Sequence, residues 1–540
     1  MTNAPALERL PSAPKNGFRK EPLPEARSHQ RNRGLNNEIE DAMKVNLMRG
    51  AAPLTGCLLS VFFASCSGLV DSSLSPVQLG NASSSTSPIK HVVLIIQENR
   101  SFDNLFATFP RSHGTTIGHW KTANGERKQP LKPGNLYLGT DITHCSAAFT
   151  ISYDGGKMDG FNDEHYGVCG PGGKIGSGKP VGAYAYQYVD PAQIEPYWDI
   201  ARRWVLSDEM FQTQGSGSFT AHQDLIRGGT AVDGTASNPN GSESLIDNPT
   251  LMPWGCDSGP PAATELITTA GKYLTNGPFP CSNKFPSYAS GNYQTMRDLL
   301  DSAKISWKYY SPCFSASPGS CCPPSDSCKG NSGATLNAFD VIYPVRYGAE
   351  WGTNVSMPET NIFSDISGGT LPGVSWVIPE DKNSDHPGDN LQGKEDLGPE
   401  WVASVVNAVG ESRYWKSSVV IVIWDDWGGF YDNAKPPFQD NYGGLGFRVP
   451  MLVVSPYDRT GAGKNGGLVS HTQYEFGSIL KFIEDTFNLG SLGTTDQRST
   501  SIGNVFSYGQ HPRAFHSITS SLGPKYFRAH SGKPQRGDPE

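Results

Sequence analysis

An α/β fold with a largely parallel central sheet is what the sequence predicts, on three observations. The runs HVVLIIQ (91–97), SVVIVIW (418–424) and VPMLVVS (449–455) are apolar on both faces and rich in β-branched residues, as interior parallel strands covered by helices are. Helical spacing marks 190–203, 291–303, 399–409 and 472–487, and in the last of these Tyr474, Ile479, Leu480, Phe482, Ile483 and Phe487 keep the 3.6-residue period. Glycine-rich tracts at 229–290 and 311–370 keep no period and read as long insertions. Weaker strand signals lie at 306–311 (SWKYYS) and 375–379 (SWVIP).

Composition bounds the function. The 540 residues hold 61 Gly, 41 Pro and 10% aromatics, a loop-rich globular chain with ample core material. A formal charge of -8 leaves no basic footprint, so nucleic acid is excluded as a partner. Residues 1–42 are polar and without apolar period, and are expected to be disordered or to precede the true start. From 43 to 66 the basic Lys44 and Arg49, a short apolar run and small residues make a signal peptide, too short for a membrane span. Export to the periplasm or the medium is therefore expected. FASC fits a lipoprotein box ending at Cys66, with Phe63 in the usual Leu position, and an ordinary cleavage near Ala64 to Ser67 fits equally. A Ser-rich linker (67–88), one catalytic domain (89–525) and a disordered tail (526–540) complete the expected organisation.

Beyond the leader eight cysteines remain, an even count that predicts disulfides in an oxidising compartment. Sequence proximity pairs Cys145 with Cys169 and Cys256 with Cys281, and places two bridges among Cys313, Cys321, Cys322 and Cys328. A metal cluster in that last group is disfavoured, because no histidine accompanies it and paired knuckles are lacking.

The chemistry gathers at strand ends. Run 91–97 delivers Glu98 and Asn99, and run 418–424 delivers Asp425 and Asp426. In open parallel sheets ligands bind beyond the carboxyl ends of the strands. Two pairs of hard oxygen donors on one edge suit a divalent cation. Turn or helix capping would account for one pair, but four such groups facing one another would repel without a cation.

ENRSFDNLF, DDWGGFYD, GFRVPMLVVSPYDR and VSHTQYEFGSILKFIED resemble the signature segments of the bacterial phosphoesterase family that contains phosphatidylcholine-type phospholipases C and a related acid phosphatase, within the alkaline-phosphatase-like superfamily. The similarity runs from about 89 to 490. It implies a three-layer α/β sandwich and a divalent metal of unspecified identity held by Glu98, Asn99, Ser218, Asp425 and Asp426. DEMFQTQGSGSFTAHQDLI resembles the nucleophile segment, which makes Ser218 the nucleophile, with Ser216 and Thr220 as alternatives because the flanking prolines are missing. His144 and His386 match histidines that steady phosphoryl oxygens or protonate the leaving oxygen, and His222 is expected to touch the substrate. Asn433 departs from a common histidine, His471 reads as a contact at the start of the last helix, and Arg100 as a partner of Asp103. The implied reaction is metal-assisted transfer through a phosphoserine, and the altered loop around Ser218 together with Asn433 leaves a non-catalytic exported binding protein as the alternative. The implied substrate is a phospholipid or a small phosphate ester, with a phosphatidylcholine-type phosphodiester favoured over a phosphomonoester, and with it contact at a membrane surface. Trp254, Trp307, Tyr309 and Tyr310 read as core ahead of a choline cage.

Overall fold

The computed structural model describes residues 87–531, outside 137–139, 173, 177, 233–241, 252–253, 259–260, 278–280, 282–292, 313–336, 389–396, 440–443 and 464. Among the described residues eight strands form the central sheet: β1 (His91–Gln97), β2 (Val205–Ser207), β3 (Trp307–Tyr310), β4 (Val355–Ser356), β5 (Val374–Val377), β6 (Ser418–Trp424), β7 (Met451–Val454) and β8 (Leu468–Ser470). Their order is β4-β3-β5-β1-β6-β7-β2-β8. All neighbours are parallel except the two pairings of β7. The run at 449–455 is thus a buried strand but an antiparallel one, which corrects its reading as parallel. An interior strand with helices over both faces has the same composition in either direction, so apolarity alone does not fix the sense.

Consecutive residues of a strand point to opposite faces, and Val92–Ile96 and every residue of β6 are buried. Helices Glu195–Arg203 and Gly398–Gly410 pack on each other and on the sheet, and helices Ser218–Arg227 and Phe476–Phe487 pack on each other. The indole of Trp376 on β5 donates to Leu225 O, which ties helix Ser218–Arg227 to the sheet (3.2 Å). Trp254, Trp307, Tyr309 and Tyr310 are core residues.

Several sequence boundaries shift. The last long helix begins at Phe476, where Glu475 and Ser478 form a capping box, while Tyr474–Glu475 pairs as a short strand with Met210–Phe211. His471 therefore precedes a strand, not a helix, and the helix contact assigned to it is corrected. The chain is helical at Pro524–His530, with buried Phe527 edge-on to Trp401 at 5.2 Å, so the folded domain extends past the expected end at 525. Residues 1–86, with the leader and Cys66, and the cysteines at 313–328 lie outside the described residues.

The disulfides Cys145–Cys169 and Cys256–Cys281 are formed. The first closes a loop with a sequence separation of 24 and follows directly on His144, so it anchors that histidine's segment. Reduction, or Cys169→Ser, is expected to lower stability by about 3 kcal/mol on the chain-entropy account. Denaturant melts with and without reductant check this, and coincident curves would exclude it.

The Cys145–Cys169 bridge belongs to a smaller apolar cluster with Ile142, Phe149, Phe161, Trp427 and Phe447. Beneath it Glu164 is fully buried, held by the Ser152 and Thr143 hydroxyls, and burial pushes its carboxyl from 4.5 up to about 8. The folded value is the raised one. The stabilisation is therefore complete below the unfolded value and is lost as pH rises toward the folded one, at about 1.4 kcal/mol per pH unit. Glu164→Gln is expected to remove this decline and flatten the melting temperature between pH 5 and 8. Parallel pH profiles of the two proteins would contradict it.

Candidate active site

The site is assembled from adjoining strand ends. β1 and β6 pair over their full length, from His91 with Ser418 to Gln97 with Trp424, so Glu98–Asn99 and Asp425–Asp426 leave the sheet side by side. Asp425 N donates to Gln97 O (3.0 Å), and Asp425 Oδ1 accepts from Asn99 N (3.0 Å) and Asp426 N (2.7 Å). The turn depends on unusual backbone: Asn99 has φ 54°, which Asn tolerates better than most residues. Gly428 has φ 60° and donates its N–H to Asp426 Oδ1 (2.8 Å). A Cβ there would lie 2.1 Å from Asn99 O, so only glycine closes this turn.

Ser218 meets these groups from the other side. It is the first residue of helix Ser218–Arg227, after Gly217 at the N-cap, and not a loop residue. Its Oγ lies 3.2 Å from Asn99 Oδ1 and 3.1 Å from Asp426 Oδ2. The helix N-terminus directs backbone N–H groups and the positive end of the dipole toward this point, favouring an anion there. Ser216 Oγ instead reaches Gln214 O, and the buried Thr220 Oγ1 makes no hydrogen bond among the described residues.

One turn on, His222 shares a helix face with Ser218. Its Nε2 lies 3.0 Å from Glu98 Oε1 and 3.7 Å from Asp425 Oδ2. That position, among the carboxylates, makes it a candidate metal ligand where the sequence reading gave it to substrate. Glu98, His222 and Asp425 offer donor atoms all within 4.8 Å of one another, and all three are buried. Hard carboxylate oxygens with one imidazole form a donor set that fits a divalent cation.

On the opposite flank Asn99 Nδ2 donates to His144 Nε2 (3.0 Å), which leaves His144 Nδ1 to donate to Ile142 O (2.6 Å). Asn99 thus links Ser218 to His144 through its two amide atoms. The His386 ring stands edge-on to His144 at 5.9 Å. A small cavity beside these groups is lined by Thr143, His144, Cys169, Gly217 and Asn248.

Supporting residues that sequence reasoning did not single out surround the site. Asp385, before His386, accepts from Tyr197 OH (2.7 Å) and Trp424 Nε1 (3.0 Å), and burial lifts its carboxyl to about 6. Asp247 accepts from Ser146 N (2.8 Å), close to His144, and burial pushes it to about 8. Arg100 does not take the role expected of it. It donates to Asp385 O, Asn104 Oδ1 and Leu136 O, while Asp103 receives Arg448 (3.5 Å). Asn433 Oδ1 also accepts from Arg448 (2.8 Å), a structural role where a histidine is common.

The fold and this group of side chains define a class, a hydrolase of phosphoric esters. The chain belongs to the Phosphoesterase family, whose model matches residues 89–490. Phospholipase C B of Mycobacterium tuberculosis is 24% identical over 466 residues, covering 78% of this chain and 77% of its own. The non-hemolytic phospholipase C of Pseudomonas aeruginosa is 22% identical over 477 residues, covering 78% of this chain and 57% of its own. A solved alkaline phosphatase superfamily protein from Vibrio parahaemolyticus matches 69% of this chain and 72% of its own, with 11% identity and a TM-score of 0.29, too low to carry an argument.

Proposed function

We propose that this protein is an exported, divalent-cation-dependent phospholipase C that cleaves phosphatidylcholine-type phosphodiesters through a phosphoserine at Ser218. The observation that carries the reading is Ser218 Oγ within hydrogen-bond reach of both Asn99 Oδ1 and Asp426 Oδ2 at the carboxyl edge of the sheet. Family membership and the names of the two relatives support the substrate class, and the two disulfides support an oxidising compartment.

Glu98, Asn99, Ser218, His222, Asp425 and Asp426 are the residues that would hold the cation. Bound there, it lowers the pKa of a coordinated hydroxyl and offsets negative charge on phosphoryl oxygens. Asp426 Oδ2, 3.1 Å from Ser218 Oγ, is positioned to take the hydroxyl proton. Ser218 Oγ then bonds to phosphorus as the bond to the diacylglycerol oxygen breaks, and that oxygen takes a proton from protonated His386, while His144, whose proton lies on Nδ1 against Ile142 O, holds the Asn99 amide in place. Water then attacks phosphorus and gives a proton to the deprotonated histidine, the bond from phosphorus to Ser218 Oγ breaks and releases the phosphorylated headgroup, and Asp426 returns its proton to Ser218 Oγ. The N-terminus of helix Ser218–Arg227 and the Asn99 amide hold charge that develops on the phosphoryl oxygens.

The deciding assay pairs p-nitrophenylphosphorylcholine with p-nitrophenyl phosphate, with and without a chelator. Turnover of the diester that chelation removes is the expected result. Turnover of the monoester alone would replace the lipase with a phosphatase, and turnover of neither under any divalent metal would refute the enzyme reading.

A further inference from the structure

We propose that a second metal site, distinct from the one at Ser218, lies on the same edge of the sheet and is built from His113, Asp208 and His471 with Glu209 in reach. Its ligand chemistry is that of a borderline transition metal such as Zn²⁺.

The placement follows from topology. β2 and β8 are parallel neighbours with Ser207 opposite Ser470, so Asp208 and His471 leave the sheet side by side. His113 arrives from the segment after helix Phe102–Phe106. His471 Nδ1 lies 2.9 Å from each carboxylate oxygen of Asp208. His113 Nδ1 lies 2.8 Å from Glu209 Oε1 and 3.9 Å from Asp208 Oδ2. The two imidazoles stack at 4.3 Å with 19° between their planes. A tetrahedral zinc with bonds of about 2.0–2.2 Å needs donor atoms roughly 3.4 Å apart. The observed separations straddle that value, and the donors of His113, Asp208 and His471 all fall within 4.8 Å of one another.

The cluster is also held in place before any ion arrives. Asp208 is fully buried and its backbone N donates to Ser470 O (3.1 Å). Asp208 Oδ2 accepts from His113 N (2.8 Å), and Arg448 donates to both Asp208 O (3.0 Å) and His113 O (3.3 Å). Such outer contacts orient ligands in metal sites. The histidine side chains are 55% and 46% exposed, which leaves an entry path and room for water as a further ligand. Two imidazoles with carboxylates select zinc-like cations, whereas the Ser218 group is dominated by oxygen. β7 separates β2 from β6, and the two sites share no residue. Because Arg448 also binds Asp432 (3.1 Å), a metal here would brace the loop that follows Asp425–Asp426.

The test is zinc content per chain after stripping with chelator, dialysis against Zn²⁺ and removal of loose metal, for wild type, His113→Ala, His471→Ala and Asp425→Asn. Each histidine variant is expected to hold one zinc fewer than wild type, with its circular dichroism unchanged. Histidine variants that hold as much zinc as wild type would overturn the proposal. If Asp425→Asn matches wild type while the histidine variants lose a zinc, the second site stands and the metal reading at Ser218 falls.

Discussion

Ser218→Ala is expected to reduce turnover of a phosphodiester substrate by on the order of 10^4-fold or more, because no neighbouring hydroxyl can replace it. Ser216 Oγ points to Gln214 O, and Thr220 lies two residues along the helix with no described bond to Asn99 or Asp426. Ser216→Ala and Thr220→Ala should therefore stay within about tenfold of wild type, as changes beside the reacting atom and not at it. A covalent readout separates chemistry from folding. Acid quench during turnover of substrate labelled at phosphorus should trap label on wild-type protein and none on Ser218→Ala. Label retained by the alanine variant would move the nucleophile to another residue. A variant without label but with wild-type turnover would eliminate the covalent intermediate.

The parts of this arrangement visible in the sequence are those that depend on local composition. β1 is apolar from Val92 to Ile96 and β6 from Val419 to Trp424, and their ends are marked by a switch to Glu98–Asn99 and Asp425–Asp426, so the strands and the carboxylates they deliver are both legible. β2 and β8 have three residues each, too short for any periodicity, and their pairing is a tertiary event. That is why His113, Asp208 and His471, far apart in the chain, gave no signal together. Helix Ser218–Arg227 was hidden for another reason. Its N-terminus sits in a Gly-Ser-Gly-Ser run that reads as loop, although the Ser218–His222 spacing of four is a helical one. Recognising that spacing would have moved His222 from substrate contact to the carboxylate group. The Arg448 network with Asp103, Asp432 and Asn433 was equally invisible, because it is made by buried side chains from segments that meet only in the fold.

Asp426→Asn separates the metal reading from a purely structural one, because it should act oppositely on the metal-free and metal-loaded protein. The side chain is buried, touches Ser218 Oγ at 3.1 Å and accepts the Gly428 N–H at 2.8 Å. An asparagine of nearly the same shape can keep the Gly428 bond through its carbonyl oxygen but removes one of three crowded carboxyl groups, Glu98, Asp425 and Asp426. Less like-charge crowding should leave the chelated protein as stable as wild type or more so. The cation, in contrast, loses a charged donor. Wild type at about a hundredfold excess of a divalent ion over its dissociation constant should gain about 2.7 kcal/mol, and the variant much less. Turnover should fall by on the order of 10^3-fold, since the hydroxyl loses its proton acceptor together with part of the metal's hold. Thermal melts with chelator and with Ca²⁺, Mg²⁺, Mn²⁺ or Zn²⁺ read both effects. A variant that melts well below wild type in chelator, with an unchanged metal-induced shift, would mean that Asp426 holds the turn together and binds no ion.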